Sequence, residues 1–318
     1  MPPSTHATTH LTVRDCVQAA ADTLERAQLS YGHGTTNAFD EAAWLVLWQL
    51  GLPLDTDLDH CPNPAHPDKP RYVTAAEQRS IDALISQRIQ TRKPAAYLTH
   101  EAWLQGVSFY VDERCLVPRS LIAEVLVEGS LDYWLDDDAH RVLDLCTGGG
   151  SLAIIAAMVY PHMFVHASDI SGEALDVARI NVERHGLHRR ISLHQDDGFP
   201  NSGVRFDLIL CNPPYVDAQS LRALPPEFRA EPMLALDGNT AGGTDGLDFV
   251  RRVIRQAAQH LQEQGILVLE IGHNRAAFDA CFADLDVFWL ATSAGDDLVL
   301  LVTREALQSW AQRQEKPA

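Results

Sequence analysis

The stretch Arg141-Val142-Leu143-Asp144-Leu145-Cys146-Thr147-Gly148-Gly149-Gly150 decides the fold. Its first half is an apolar run of strand length and its second half is a glycine loop. Residues 151–159 follow at once and read as a helix. Glycines allow a ligand to approach the backbone closely, and the helix start offers it free N–H groups. Downstream the alternation repeats. Residues 164–168 read as a second strand closed by Asp169, about 20 residues beyond the loop, where an acid is placed to bind ribose hydroxyls. Ser171 caps a helix that stops at Gly186, and residues 191–195 make a third strand closed by Asp196 and Asp197.

The fourth strand is Phe206-Asp207-Leu208-Ile209-Leu210-Cys211, and it runs into Asn212-Pro213-Pro214-Tyr215. Prolines cannot donate to a sheet ladder, so the strand stops there and presents Asn212 and Tyr215 at its carboxyl end. In open α/β sheets that edge is where ligands bind. The four-residue word carries a chemical meaning. An amide or exocyclic amino nitrogen is a poor nucleophile because its lone pair is delocalised. Two acceptors, the Asn212 side-chain oxygen and the Pro213 carbonyl, would hold its N–H groups and aim the lone pair at an electrophilic methyl. Tyr215 would stack on the flat group. The plain alternative is a strand end with a satisfied Asn.

Further on, residues 247–261 read as helical, 266–271 as a fifth strand and 275–285 as another helix. Residues 286–292 and 298–303 read as a closing antiparallel pair, turned by Gly295-Asp296-Asp297. Alternating strands and helices predict an α/β fold, a doubly wound, seven-stranded Rossmann-like domain over 115–318. The proline- and glycine-bearing segment 216–247 is long for a connection and reads as a lid or recognition loop.

Towards the amino end, residues 1–10 read as a flexible tail and 11–93 as a small helical substrate-recognition domain. Apolar residues recur at helical spacing from Thr12, a second helix spans 40–50, and Thr74 with Glu77 forms a capping box that opens a third. His60, Cys61 and His66 lie in a proline-rich loop at irregular spacing and are read as loop residues, with no metal. Residues 94–114 bridge the two domains, with a β-hairpin at 101–111 turning near Gln105-Gly106.

The chain of 318 residues carries a formal net charge of −18, which argues against a phosphate-tracking nucleic-acid surface and suits a basic partner. Six dispersed cysteines without a CxxC pair predict a reducing compartment, and no signal peptide or membrane span is read; the expected location is the cytoplasm. Asp144 selects among cofactors. In a dinucleotide fold the first strand is normally apolar just before the glycines. An acid here answers the amino group and sulfonium region of S-adenosylmethionine, unless it merely satisfies the loop. Cys146 and Cys211, near the same edge, read as small buried fillers.

On these residues the chain resembles the N5-glutamine methyltransferases of the HemK type over nearly its whole length. The bridging stretch Val117-Pro118-Arg119-Ser120-Leu121-Ile122-Ala123-Glu124 is similar to the ribosomal-protein branch of that family. So are Leu143 to Gly148, Asn212 to Asp217 and Phe228-Arg229-Ala230-Glu231-Pro232. The resemblance implies methyl transfer from S-adenosylmethionine to a glutamine of large-subunit ribosomal protein L-three. It implies that Asp144, Cys146, Thr147, Gly148, Gly149, Gly150, Asp169, Asp197 and Asn212 line the cofactor. Asn212, Pro213, Pro214 and Tyr215 would receive the amide, and Phe109 would pack over the active site or be an ordinary hairpin core residue. Where the release-factor branch carries a tryptophan beside the adenine, this chain has Gly198. The rival readings are a release-factor glutamine methyltransferase, an adenine-N6 nucleic-acid methyltransferase, which the charge opposes, and a ribosome assembly factor that binds the cofactor without turnover.

Overall fold

A computed structural model describes residues 11–63, 66–136, 138–201 and 203–315. The flexible tail expected at 1–10 lies outside them. The chain divides into two compact units.

The first unit holds the described residues up to His100 together with Pro225–Ala230. Its helices are α1 (Val13–Arg26), α2 (Ala38–Gln49), α3 (Ala75–Thr91) and α4 (Ala95–Thr99). Capping boxes start α1 at Thr12 with Asp15 and α3 at Thr74 with Glu77, each satisfying backbone donors that a helix start leaves unpaired. α1 buries one stripe, Val13, Val17, Ala20 and Leu24 among it. The proline-rich stretch, read as plain loop, forms a small hairpin of β1 (Pro62–Asn63) and β2 (His66–Pro70). Among the described residues no cluster of His, Cys, Asp or Glu could hold a metal ion.

Two boundaries differ from the sequence reading. α4 belongs to the first unit, and six residues of the long 216–247 segment belong there too. The reason for the second is chemical: the buried Glu227 carboxylate accepts from Arg92 at 2.9 Å, and the Phe228 ring fills the space above Gly32. Gly32 has φ of +135°, and a Cβ there would stand 2.8 Å from that ring, so only glycine fits.

The second unit begins with a hairpin of β3 (Ala102–Leu104) and β4 (Val107–Phe109). Gln105 and Gly106 both have positive φ, 50° and 75°, as a two-residue type I′ turn requires. The main sheet has seven strands: β5 (Arg141–Leu145), β6 (Phe164–Asp169), β7 (Ile191–Gln195), β8 (Phe206–Cys211), β9 (Leu261–Glu270), β10 (Phe288–Thr292) and β11 (Gly295–Thr303). Their order is β10-β11-β9-β8-β5-β6-β7. β5 to β9 pair in parallel, and β11 runs antiparallel between β9 and β10. The closing turn is Ser293-Ala294, not Gly295 to Asp297, because Gly295 already pairs with Thr292.

α5 (Ile122–Val127) and α6 (Ser151–Val159) contribute to the apolar layer on one face, and Val182 of α7 (Gly172–Arg184) joins it. On the other face lie α9 (Asp248–His260), α10 (Arg275–Cys281) and α11 (Arg304–Glu315). The short α8 (Ala218–Ala223) follows the Asn-Pro-Pro-Tyr word. This layering leaves the carboxyl ends of β5 to β8 at one crevice, beside the point where strand order reverses.

Candidate active site

The crevice holds a cavity of about 650 Å³. Of the residues singled out from the sequence, Cys146, Gly148, Asp169, Asp197, Asn212 and Pro214 line it. Asp169, at the end of β6, accepts from Gly148 N at 2.8 Å and Ser171 N at 2.9 Å, which ties the glycine loop to the next strand end. Burial raises its pKa, opposed by those backbone N–H groups. Gly148 has φ of +53°, and a Cβ on it would meet nothing within 4 Å, so the loop leaves open space beside its backbone.

The other two glycines serve packing. A Cβ on Gly149 would lie 3.1 Å from Cys115 Sγ, and one on Gly150 would lie 3.2 Å from Ala178 Cβ in α7. Asn181, missed by the sequence reading, clamps this region. It accepts from Tyr110 N at 2.7 Å and donates to the carbonyls of Tyr110 and Gly149 at 3.0 and 2.9 Å.

Asp144 is fully buried and does not line the cavity. Its Oδ2 accepts from the Thr147 hydroxyl and from Ala153 N at 2.9 Å, while Oδ1 is buried without a partner. The carboxyl therefore pins the loop to the start of α6, the alternative weighed for it from sequence. Thr147 is buried by the same contact. Burial pushes the Asp144 pKa up to about 7, against about 3.9 for a solvated aspartate. Between those values the folded chain keeps a proton that the unfolded chain has released, so this group makes stability fall as pH rises through the window from about 4 to 7. Asp144→Asn is expected to flatten the stability profile there, as read by urea unfolding at several pH values. An unchanged slope would show that the carboxyl titrates normally.

At the end of β8, the half-exposed Asn212 faces the cavity, and its side-chain amide has no hydrogen-bond partner among the described residues. Tyr215 does not line the cavity. Its hydroxyl donates to Glu270 at 3.0 Å, and its ring lies against Gly272. Glu270, buried at the end of β9, also accepts from Ser120 Oγ at 2.6 Å and Leu121 N at 3.0 Å, so it fastens both the bridging segment and the Asn-Pro-Pro-Tyr word. Burial raises the pKa of Glu270 and of Tyr215. Pro213 is buried beneath the loop. Phe109 is wholly buried in the apolar layer, its ring 5.7 Å from His185, and takes the core role instead of covering the cavity. Cys146 is only partly buried and lines the cavity, so it is not the buried filler expected, whereas Cys211 is buried. Contact with Cys211 and desolvation hold the Cys146 thiol well above the usual range.

Two arrangements were not legible beforehand. Arg252 donates to Asp197 at 2.6 Å, lies 4.5 Å over the Phe249 ring, and fills the space beside Gly198, where a Cβ would stand 3.3 Å from its guanidinium. Sequence places α9 far from β7, so nothing local signals this pair. The second joins two motifs already quoted. Glu231, buried, accepts from both terminal nitrogens of Arg119 at 2.6 and 2.7 Å and from Val117 N at 3.0 Å. Pro232, Leu234 and Ala235, which follow it, line the cavity.

The seven-stranded sheet frames the cavity at its strand ends, and the family described as "Methyltransferase small domain" matches residues 125–228, which span β5 to β8. The ribosomal protein uL3 glutamine methyltransferase of Burkholderia pseudomallei (strain K96243) is 45% identical over 317 residues, spanning 97% of this chain and 99% of that protein. The protein of the same description from Bordetella pertussis (strain Tohama I) is 47% identical over 301 residues, spanning 94% and 97%. Among solved structures, a methyltransferase from Pyrococcus furiosus is 19% identical with a TM-score of 0.46, covering 63% of this chain and 90% of its own. The chain belongs to the family of ribosomal protein uL3 glutamine methyltransferases. No helix among the described residues is long and apolar enough to cross a membrane.

Proposed function

We propose that this chain methylates the side-chain amide nitrogen of a glutamine in ribosomal protein uL3, with S-adenosylmethionine as donor. The observation that carries the reading is Asn212: an unengaged amide, held by two prolines, opening into the cavity that Asp169 also lines. The full-length relatives named for this activity supply the substrate.

The residues present fit the cofactor. Gly148 leaves an open floor, Asp169 offers a carboxylate for ribose hydroxyls, and Asp197 keeps its second oxygen for an adenine amino group. When bound, S-adenosylmethionine supplies an electrophilic methyl. Asn212 Oδ1 and the Pro213 carbonyl accept the two N–H groups of the substrate amide and direct its lone pair along the line of attack. No strong base is needed beforehand, because the nitrogen becomes acidic as the new bond forms. The prolines fix both acceptors, so catalysis rests on positioning and on oxygens aimed where positive charge develops. Tyr215, tied to Glu270, holds the loop in place instead of stacking on the substrate. All six cysteines are free, in keeping with action in the cytoplasm.

Purified protein with uL3 and tritiated cofactor tests the reading. Label should enter uL3 as one added methyl on a glutamine; better methylation of a release factor or of nucleic acid would overturn it. Asp169→Ala should weaken cofactor binding by about 1.5–3 kcal/mol, the cost of losing hydrogen bonds to a charged acceptor, measured by calorimetry. Unchanged affinity would remove Asp169 from the site.

A further inference from the structure

A second cleft, of about 250 Å³, opens at the amino ends of β5, β6 and β7, the sheet edge opposite the active site. It is lined by Arg141, His188, Arg189 and Arg190, with His166 and Ser192 below them. Among the described residues no carboxylate lines it. In a chain with 43 acidic and 25 basic side chains, three arginines and two imidazoles at one cleft are a marked local reversal of sign.

Strand register explains the concentration. Arg141 pairs with Phe164, and His166 pairs with Ser192, two residues further along. Side chains alternate across a strand, so Arg141, Phe164, His166 and Ser192 share one face. Deeper in the sheet that face is apolar, with Leu143 and Leu145 in its core layer. At this edge it becomes basic and open. The side chains of Arg141, His188 and Arg189 are exposed and have no hydrogen-bond or ion-pair partner among the described residues. Asp207, at the start of β8, is engaged by the backbone N–H groups of His140 and Arg141 at 2.9 Å. Phe164 stands beside the cleft with 56% of its surface exposed. The stacked rings of His166 and His194 lie 5.1 Å apart, and burial, His194 and Arg141 together keep His166 below the usual imidazole range.

We propose that this cleft binds a single strand of RNA, with Arg141, Arg189, Arg190 and His188 on its phosphates and a base stacked on Phe164. Arginine fork donors suit phosphate oxygens, and an aromatic face at the rim of a cationic groove takes any base. The small width of the patch and the acidity of the rest favour a single strand over a duplex, whose second backbone would meet carboxylates. The net charge, which argues against nucleic acid for the chain as a whole, does not describe this edge.

The test is fluorescence anisotropy of a short labelled oligouridylate with the full chain, at several salt concentrations. Binding should weaken with salt at a logarithmic slope of about −2, as for roughly three neutralised phosphates on a single strand. Arg141→Glu with Arg189→Glu should abolish binding, and Phe164→Ala should weaken it about ten-fold. Both variants should keep the wild-type melting transition, and the double variant should methylate free uL3 at the wild-type rate. Equal binding by wild type and the double variant would overturn the proposal. So would displacement of the strand by inorganic phosphate, or by polyglutamate, as effectively as by unlabelled RNA.

Discussion

Asn212→Ala should slow methyl transfer to uL3 by about 10²–10³, the scale of losing one preorganised hydrogen-bond partner of a transition state. The change leaves Pro213, Pro214 and β8 intact, and Asn212 makes no side-chain hydrogen bond among the described residues that its loss would break. On the proposed reading, in which Asp169 and the glycine loop hold the cofactor, its affinity should therefore move little. Asn212→Asp is the stricter variant. It restores an acceptor oxygen at nearly the same position, so it should recover part of the lost rate despite its charge. Single-turnover methylation at saturating cofactor separates these outcomes from a binding defect. A near-wild-type rate for Asn212→Ala would mean that the word marks only a strand end.

The second large effect is expected at Glu231. Its carboxylate is buried against Arg119, whose side chain keeps 28% of its surface, and it also takes the Val117 N–H. Removing the carboxylate breaks a largely buried ion pair and takes the acceptor from a buried backbone donor. With allowance for the exposed part of Arg119, Glu231→Ala should cost roughly 2–4 kcal/mol, read as a fall in the urea midpoint at unchanged slope. Cofactor binding should fall with it, because Pro232, Leu234 and Ala235 lose their anchor on one cavity wall. Replacing both partners, Arg119→Met with Glu231→Leu, should return most of the stability, since apolar pairs of similar volume often match a buried ion pair. If the double variant is as unstable as the single one, the pair is not what holds this wall.

Most of the second unit was legible in the sequence because its signals are local. Apolar runs of strand length ending in glycines, acids or prolines give the parallel strands directly, and each ending residue falls at the same sheet edge. The word Asn212 to Tyr215 could be placed because prolines leave one conformation open. Roles within the word were harder. Tyr215 and Asn212 are three residues apart, and only the fold shows that one turns to Glu270 and the other to the cavity. Asp144 shows the same limit: an acid before a glycine loop answers either a ligand or the loop's own donors, and here Thr147 and Ala153 take it. Arg252 on Asp197 and Glu231 on Arg119 join residues 55 and 112 positions apart. No pattern of period two or 3.6 carries such a pair. The turn falls at Ser293-Ala294 because Gly295, whose φ of 140° favours glycine, already pairs with Thr292 in the ladder.

The chain order of the first unit has a bearing on how this gene can be cut. Pro225–Ala230 is encoded well inside the methyltransferase domain, yet its Glu227 and Phe228 find their partners at Arg88, Arg92, Gly32 and His33. A polypeptide begun at residue 101 would thus carry an acidic side chain and an aromatic ring whose complements had been left behind. The two units interleave along the message, and neither is a cassette that can be moved alone.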